Sequence, residues 1–176
     1  MIDSASLNTK NLRLTALTAE QLRLYLVDRG HLGRQMAVRL NEAALAPALR
    51  RAIGLKLSAM AGTDEALFPW LTYWLIIVEA ELNAGGLAGF KGPPDAAGEV
   101  EIGYGIDAGY CGRGYATESV GALVNWALAA TDCLAVTART LAVNEASAAV
   151  LRNVGFWPNG SDGGELLWRI NRGKRK

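Results

Sequence analysis

The stretch from Glu99 to Gly114 constrains the fold more than any other part of the chain. Residues 99–107 alternate: Val100, Ile102, Tyr104 and Ile106 fall on one face, and Glu99, Glu101, Gly103 and Gly105 on the other. A period of two marks a half-buried strand. Residues 108–114 follow as Ala-Gly-Tyr-Cys-Gly-Arg-Gly, without proline. They run directly into a helical pattern ending near Ala130, whose buried face is Val120, Leu123, Val124, Ala127 and Leu128. A strand that enters a glycine-rich loop opening a helix is an anion-binding arrangement. The helix N-terminus presents unpaired N–H groups and a partial positive charge, and the glycines let the backbone come close to a ligand.

The ligand such a loop suits carries a phosphate or pyrophosphate, and Arg113 adds a cation. A Walker loop is excluded, because no Gly-Lys is followed by Ser or Thr. A dinucleotide fingerprint starting at Gly103 fails at Ala108 and lacks a preceding parallel βαβ unit. Spacing alone leaves open a plain glycine-rich turn that only links strand to helix.

Other segments complete a mixed α/β reading of the form β-α-α-β-β-β-α-β-α-β. Residues 11–17 read as a short strand. Thr18 and Gln21 form a capping box for a helix that Gly30 ends. Residues 31–40 are ambiguous. Residues 41–60 are helix-forming, with Leu45, Leu49, Ile53, Leu57 and Met60 as the apolar stripe and Pro47 as a possible start. Trp70 to Glu79 reads as a buried strand, 83–86 as a turn and 87–92 as a strand that precedes Glu99 in an antiparallel meander. Leu134 to Thr140 is a strand. Asn144 opens a helix with Val150, Leu151 and Val154 inward and Gly155 closing it, and 165–170 is the last strand. A single domain spans residues 1–176, with a core of 9–170 and a frayed basic tail at 172–176.

Composition removes several kinds of function. The 176 residues hold 18 Lys or Arg against 17 Asp or Glu, so a uniformly basic nucleic-acid binder is disfavoured. Two cysteines, Cys111 and Cys133, cannot make a disulfide framework, and with one histidine, His31, the chain cannot assemble a zinc site. No apolar run is long enough for a bilayer span of about 20 residues. The expectation is a soluble, cytoplasmic protein with no metal, no nucleic-acid partner and no membrane association, either a monomer or a homodimer.

Gly112-Arg113-Gly114-Tyr115-Ala116-Thr117-Glu118 resembles the acyl-CoA signature of the GNAT superfamily of N-acetyltransferases. Glu101 to Ile106, Asn144-Glu145-Ala146-Ser147, Leu151 and Gly155-Phe156 resemble its ribosomal-protein N-acetyltransferase branch, and the likeness covers roughly residues 9–170. It implies a mostly antiparallel sheet flanked by helices, in which the strands carrying Ile106 and Ala135 splay apart to hold acetyl-CoA. It further implies direct transfer of acetyl from acetyl-CoA to a primary amine, either a protein N-terminus or a small molecule. Two positions depart from the pattern. Cys111 stands where the signature opens with Gln or Arg, and Leu151 stands where many relatives carry a tyrosine that protonates the leaving thiolate. The missing acid motivates an alternative, a non-catalytic acyl-CoA-binding module.

The resemblance also assigns roles. Gly112, Arg113, Gly114, Tyr115, Ala116 and Thr117 hold the pyrophosphate, and Ile106 pairs with the pantetheine amides. Asn144 binds the pantetheine arm, or is simply a helix cap. Glu101 is the carboxylate that accepts the amine proton, directly or through water, or else a solvated strand residue like Glu99. Ser147 is a thiol proton donor or a helix-start serine, with Tyr110 and Tyr115 as further acids. The acceptor groove is walled by residues 18–62. Between 23 and 56 there are seven Lys or Arg (Arg23, Arg29, Arg34, Arg39, Arg50, Arg51 and Lys56) against Asp28 and Glu42. A basic wall favours an acceptor with acidic groups near its amine, unless those cations only form a solvated face.

Overall fold

The computed structural model describes residues 5–173. In chain order the elements are β1 (Ser6–Asn8), β2 (Leu12–Ala16), α1 (Ala19–Val27), α2 (Arg29–Met36), α3 (Pro47–Met60), α4 (Phe68–Leu71), β3 (Trp74–Val78), β4 (Asn83–Phe90), β5 (Glu99–Ile106), α5 (Tyr115–Ala129), β6 (Ala135–Leu141), α6 (Glu145–Val154), β7 (Trp157–Asp162) and β8 (Glu165–Asn171). The strands form one sheet in the order β1-β2-β3-β4-β5-β6-β8-β7. Every neighbouring pair is antiparallel except β5 and β6, which are parallel and joined by the α5 crossover.

That parallel pair is the feature on which the site depends. β5 and β6 are paired only at Glu99–Ala135, Val100–Val136 and Glu101–Thr137. From Ile102 to Ile106, β5 stays in register with β4 alone, as far as the Gly86–Ile106 pair. Its other edge leaves five residues without a strand neighbour, as the resemblance implied. Free backbone donors and acceptors on a strand edge are ready to bind an extended ligand.

Helices cover both faces of the sheet. On one face Trp74, Ile76, Ala88, Phe90, Val100 and Ile102 pack with Val120, Leu123 and Val124 of α5 and Leu151 of α6. On the other, Leu75, Ile77 and Leu87 pack with Leu22 of α1 and Ile53 and Met60 of α3. A strand with a core on each side needs no alternation, which explains the unbroken apolar run of β3.

Several local expectations are corrected. The strand expected over 70–79 begins at Trp74, because Pro69 sits in the first turn of α4 and Trp70 belongs to that helix. Trp70 and Trp74 are both core residues and converge on Trp126, with ring centroids 4.4 and 5.3 Å away. Residues 83–86 are the start of β4 rather than a turn. The glycine at 86 serves close approach, since a Cβ there would lie 2.2 Å from the Gly105 carbonyl oxygen. Gly30 does not end α1. Asp28 does, and its carboxylate then caps α2 by accepting from the His31 N–H at 2.8 Å. Arg172 is not frayed: its N–H donates to the Leu134 carbonyl at 2.9 Å and its guanidinium reaches the Ala130 and Thr131 carbonyls. The rest of the expected tail, 174–176, lies outside the described residues. β1, α2 and β7 have no counterpart in the sequence reading. β7 carries Pro158 and Gly160 and survives as an edge strand, where a missing N–H costs no ladder bond.

Candidate functional site

The loop after β5 turns through Gly112 and Gly114, with φ of +75° and +80°. Gly114 is the N-cap of α5, and the first intrahelical bond runs from the Glu118 N–H to the Gly114 carbonyl at 3.0 Å. The N–H groups of Tyr115, Ala116 and Thr117 therefore face out of the helix end. The left-handed conformation that aims them favours glycine, because a side chain there is strained. The loop thus has the open helix end expected from the sequence.

One carboxylate fixes this helix end to the rest of the fold. Glu118 accepts from Thr9 Oγ1 at 2.6 Å, from the Asn11 N–H at 2.7 Å and from Asn11 Nδ2 at 2.8 Å. Partial burial pushes its carboxyl up, but the Asn11 and Thr9 donors outweigh it and hold the group below its ordinary value.

A cleft of about 490 Å³ lies between the free edge of β5 and α6. Ile106, Gly112, Gly114, Tyr115, Ala116, Thr117 and Ser147 all line it. Two expected cofactor residues do not. Arg113 donates to Glu81 Oε1 at 3.1 Å and lies over the Tyr110 ring, while Tyr110 donates to the other Glu81 oxygen at 2.8 Å. That Tyr110 hydrogen bond, helped by Asn83 and Arg113, pulls the Glu81 carboxyl down. Asn144 is exposed and caps α6, accepting from the Ser147 N–H at 3.1 Å.

A second, smaller cavity of about 330 Å³ opens on the opposite face of β5. Tyr25 of α1, Leu49 of α3, Tyr73, Gly86 and Leu87 wall it, and Gly103, Gly105 and Asp107 line it from the β5 side. An added Cβ at Gly103 or Gly105 meets nothing within 4 Å, so these glycines leave the space open. Tyr104, Gly105 and Ile106 border both cavities. The Tyr104 hydroxyl donates to the Ser147 carbonyl at 3.1 Å, and burial pushes its phenol up. The sequence reading did not single out Tyr104 for chemistry. Its place on the buried face of β5 follows from the alternation and the splay beside it from the resemblance, but its bond across the cleft to α6 has no signal in the sequence.

Glu101 lines neither cavity. It sits at the last position of β5 paired with β6, where Lys91 approaches at 2.6 Å and Arg139 at 3.6 Å, and Arg139 continues to Asp162 and Glu165. Leu151 is fully buried, so the position that carries a tyrosine in many relatives faces the core here. Cys111 borders the cleft, and Cys133 is buried.

Three of the seven cations of the basic wall are engaged internally. Arg29 donates to the carbonyls of Tyr25, Asn41 and Ala43, and Arg39 to Asn83 and the Glu81 carbonyl. Lys56 donates to the Phe90 and Leu71 carbonyls at 2.7 and 3.3 Å, and burial lowers its ammonium to about 8. Among the described residues, no group of three metal-ligating side chains occurs and no helix is long and apolar enough to cross a membrane.

Comparison with known proteins agrees with this architecture. The model of the acetyltransferase (GNAT) domain family matches residues 12–157. An uncharacterized N-acetyltransferase of Bacillus subtilis, YjdG, is 34% identical over 83 residues, 47% of this chain and 49% of that protein. The matched part thus spans about half the length of that curated relative. Among solved structures, RimL, a ribosomal L7/L12 alpha-N-protein acetyltransferase in complex with coenzyme A, matches with a TM-score of 0.65 at 18% identity, over 95% of this chain and 98% of that one. The ribosomal-protein-S5-alanine acetyltransferase of Vibrio fischeri matches with a TM-score of 0.66 at 17% identity, over 98% and 99%. Likeness at such identities shows a shared fold.

Proposed function

The chain belongs to the GNAT acetyltransferase family, and from that premise we propose that it transfers acetyl directly from acetyl-CoA to a primary amine, of a protein N-terminus or a small molecule. The observation that carries this reading is the five-residue free edge of β5 leading into the open N-terminus of α5. A pyrophosphate suits the N–H groups of residues 112–117, with Arg113 contributing charge if it leaves Glu81. The pantetheine amides suit the edge at Ile106, beside Ser147 and with Asn144 holding the helix end. Acetyl-CoA supplies an activated thioester.

Transfer forms a bond between the amine nitrogen and the acetyl carbonyl carbon and breaks the carbon–sulfur bond. The bonding pair leaves on sulfur, and one proton passes from nitrogen to sulfur overall. The acceptor reaches the thioester from the Gly103–Gly105 side. Glu101 takes the nitrogen proton through water, since it lines neither cavity, and later returns it to solvent, while Ser147 relays a solvent proton to the thiolate as it takes one up from water, so both side chains end as they began.

The test is CoA-thiol release from acetyl-CoA with a panel of peptides, polyamines and amino sugars. Release that depends on the acceptor supports the reading. Tight acetyl-CoA binding with no release above buffer for any acceptor identifies an acyl-CoA-binding module instead. Glu101→Gln is expected to lower the rate and shift its pH dependence at unchanged cofactor affinity, and an unaltered pH–rate profile removes Glu101 from the mechanism.

A further inference from the structure

The charge of the acceptor cavity differs from that of the chain segment around it. Residues 23–56 are strongly basic in sequence, yet no Lys or Arg lines the 330 Å³ cavity. Asp107 is the one charged side chain on its wall, and it makes no ion pair among the described residues. Two cations stand behind its rings, Lys56 with its ammonium 4.6 Å from the Tyr73 ring centroid and Arg29 with its guanidinium 5.7 Å from that of Tyr25. Lys56 is held by the Phe90 and Leu71 carbonyls and Arg29 by those of Tyr25, Asn41 and Ala43, so neither lines the cavity and both have little left to offer an acid.

The remaining wall is aromatic and aliphatic: Tyr25, Tyr73, Leu49 and Leu87. Ring faces attract cations and accept flat or branched apolar groups. The volume lies at the low end of the ~300–1,000 Å³ of small-molecule pockets, so the bound part is no larger than one residue or a small amine. Gly103 and Gly105 set that volume from the β5 side, because any side chain there would project into open space.

Resting on the acetyl-transfer reading, we infer that this cavity selects an amine carried on an uncharged apolar or aromatic group, drawn in as its ammonium by Asp107, and rejects amines with a carboxylate beside the nitrogen. A carboxylate bound there lies near Asp107 with no cation free to offset it. At a few ångströms, in a half-buried site, that repulsion is enough for about a tenfold discrimination or more. The acceptor class then runs opposite to the one suggested by the basic residues of 23–56.

The experiment compares Phe-Ala-Ala-amide, Leu-Ala-Ala-amide and Asp-Ala-Ala-amide as acceptors under saturating acetyl-CoA. The expected result is a kcat/KM at least about tenfold higher for the apolar N-termini than for Asp. In Asp107→Asn the ratio should fall to within about threefold, through loss of the apolar acceptors' advantage, with the KM for acetyl-CoA unchanged. Gly103→Val should raise the acceptor KM about tenfold and leave acetyl-CoA affinity alone, since the cofactor cleft lies on the other face. Comparable or better turnover of the Asp peptide, or an unchanged ratio in Asp107→Asn, overturns the inference while the acetyl-transfer reading stands. No CoA release with any amine overturns that reading and this inference with it.

Discussion

Tyr104 and Ser147 bridge the gap where the sheet divides: the phenol on β5 donates to the carbonyl at the start of α6, 3.1 Å away. β5 and β6 have separated by this point, so the bond ties the free edge to the helix across the cleft. Tyr104→Phe keeps the ring and removes the tie. We expect a loss of about 1 kcal/mol in urea denaturation. The KM for acetyl-CoA should also rise about threefold, because the cleft wall is less firmly set.

Gly114 holds φ of +80° at the N-cap of α5. Gly114→Ala places a side chain in the left-handed region, at a cost of about 1–2 kcal/mol. If the loop relaxes to avoid that strain, the N–H groups of 115–117 no longer converge. Isothermal titration should show acetyl-CoA affinity down about tenfold, equal to about 1.4 kcal/mol.

Glu118→Gln keeps the shape of the clamp on Thr9 and Asn11 but removes its charge. Hydrogen bonds to charged groups contribute about 1.5–3 kcal/mol, so the loss at pH 7 should be of about that order. The carboxyl is held below its ordinary value in the folded protein. Its stabilisation is therefore complete above the unfolded value of about 4.3 and disappears as pH falls through the lower folded value. Thermal melts of the two proteins should differ at pH 7 and converge in strong acid.

Lys56 behaves in the opposite sense. Burial lowers its folded pKa to about 8, below the unfolded value near 10.4, so the charged form disfavours folding. That cost is fully present below pH 8 and is relieved as pH rises from about 8 to about 10.4, where the unfolded chain binds more protons than the folded one. Relative to Lys56→Met, the wild type should gain stability across that window in melts run at pH 7, 8.5 and 9.5.

Leu151→Tyr restores the residue common among relatives but places it in a fully buried site. Overpacking costs about 1–3 kcal/mol. The melting temperature should fall with no gain in turnover, because the new hydroxyl has no route to the cleft.

The elements that shape the 490 Å³ cleft could be read from short-range pattern. The Val100–Ile106 alternation, the glycines at 112 and 114 and the Asn144 cap act through local backbone preference, which the chain carries wherever it is. The same logic found the Thr18–Gln21 capping box, present in the structure with bonds of 2.9 and 3.1 Å. Local rules misjudged residues whose conformation is imposed by a distant partner. Gly85 and Gly86 look like a turn in isolation, but Gly86 is paired with Ile76 of β3 and Ile106 of β5, and Gly85 is the extra residue of a bulge opposite Ile76–Ile77. β7 would not stand alone with Pro158 and Gly160, and forms because β8 offers it an edge.

Charge illustrates the division most clearly. The formal net charge of +1 and the basic run of 23–56 are properties of the sequence, and so is the loop of residues 112–117, whose glycines and helix start lie side by side in the chain. The charge of the 330 Å³ cavity belongs to the tertiary structure. Folding turns Arg29, Arg39 and Lys56 onto backbone carbonyls and brings Asp107 beside Tyr25 and Tyr73, residues far apart in sequence. Composition counts charges, but only the packed chain determines which of them face the same space.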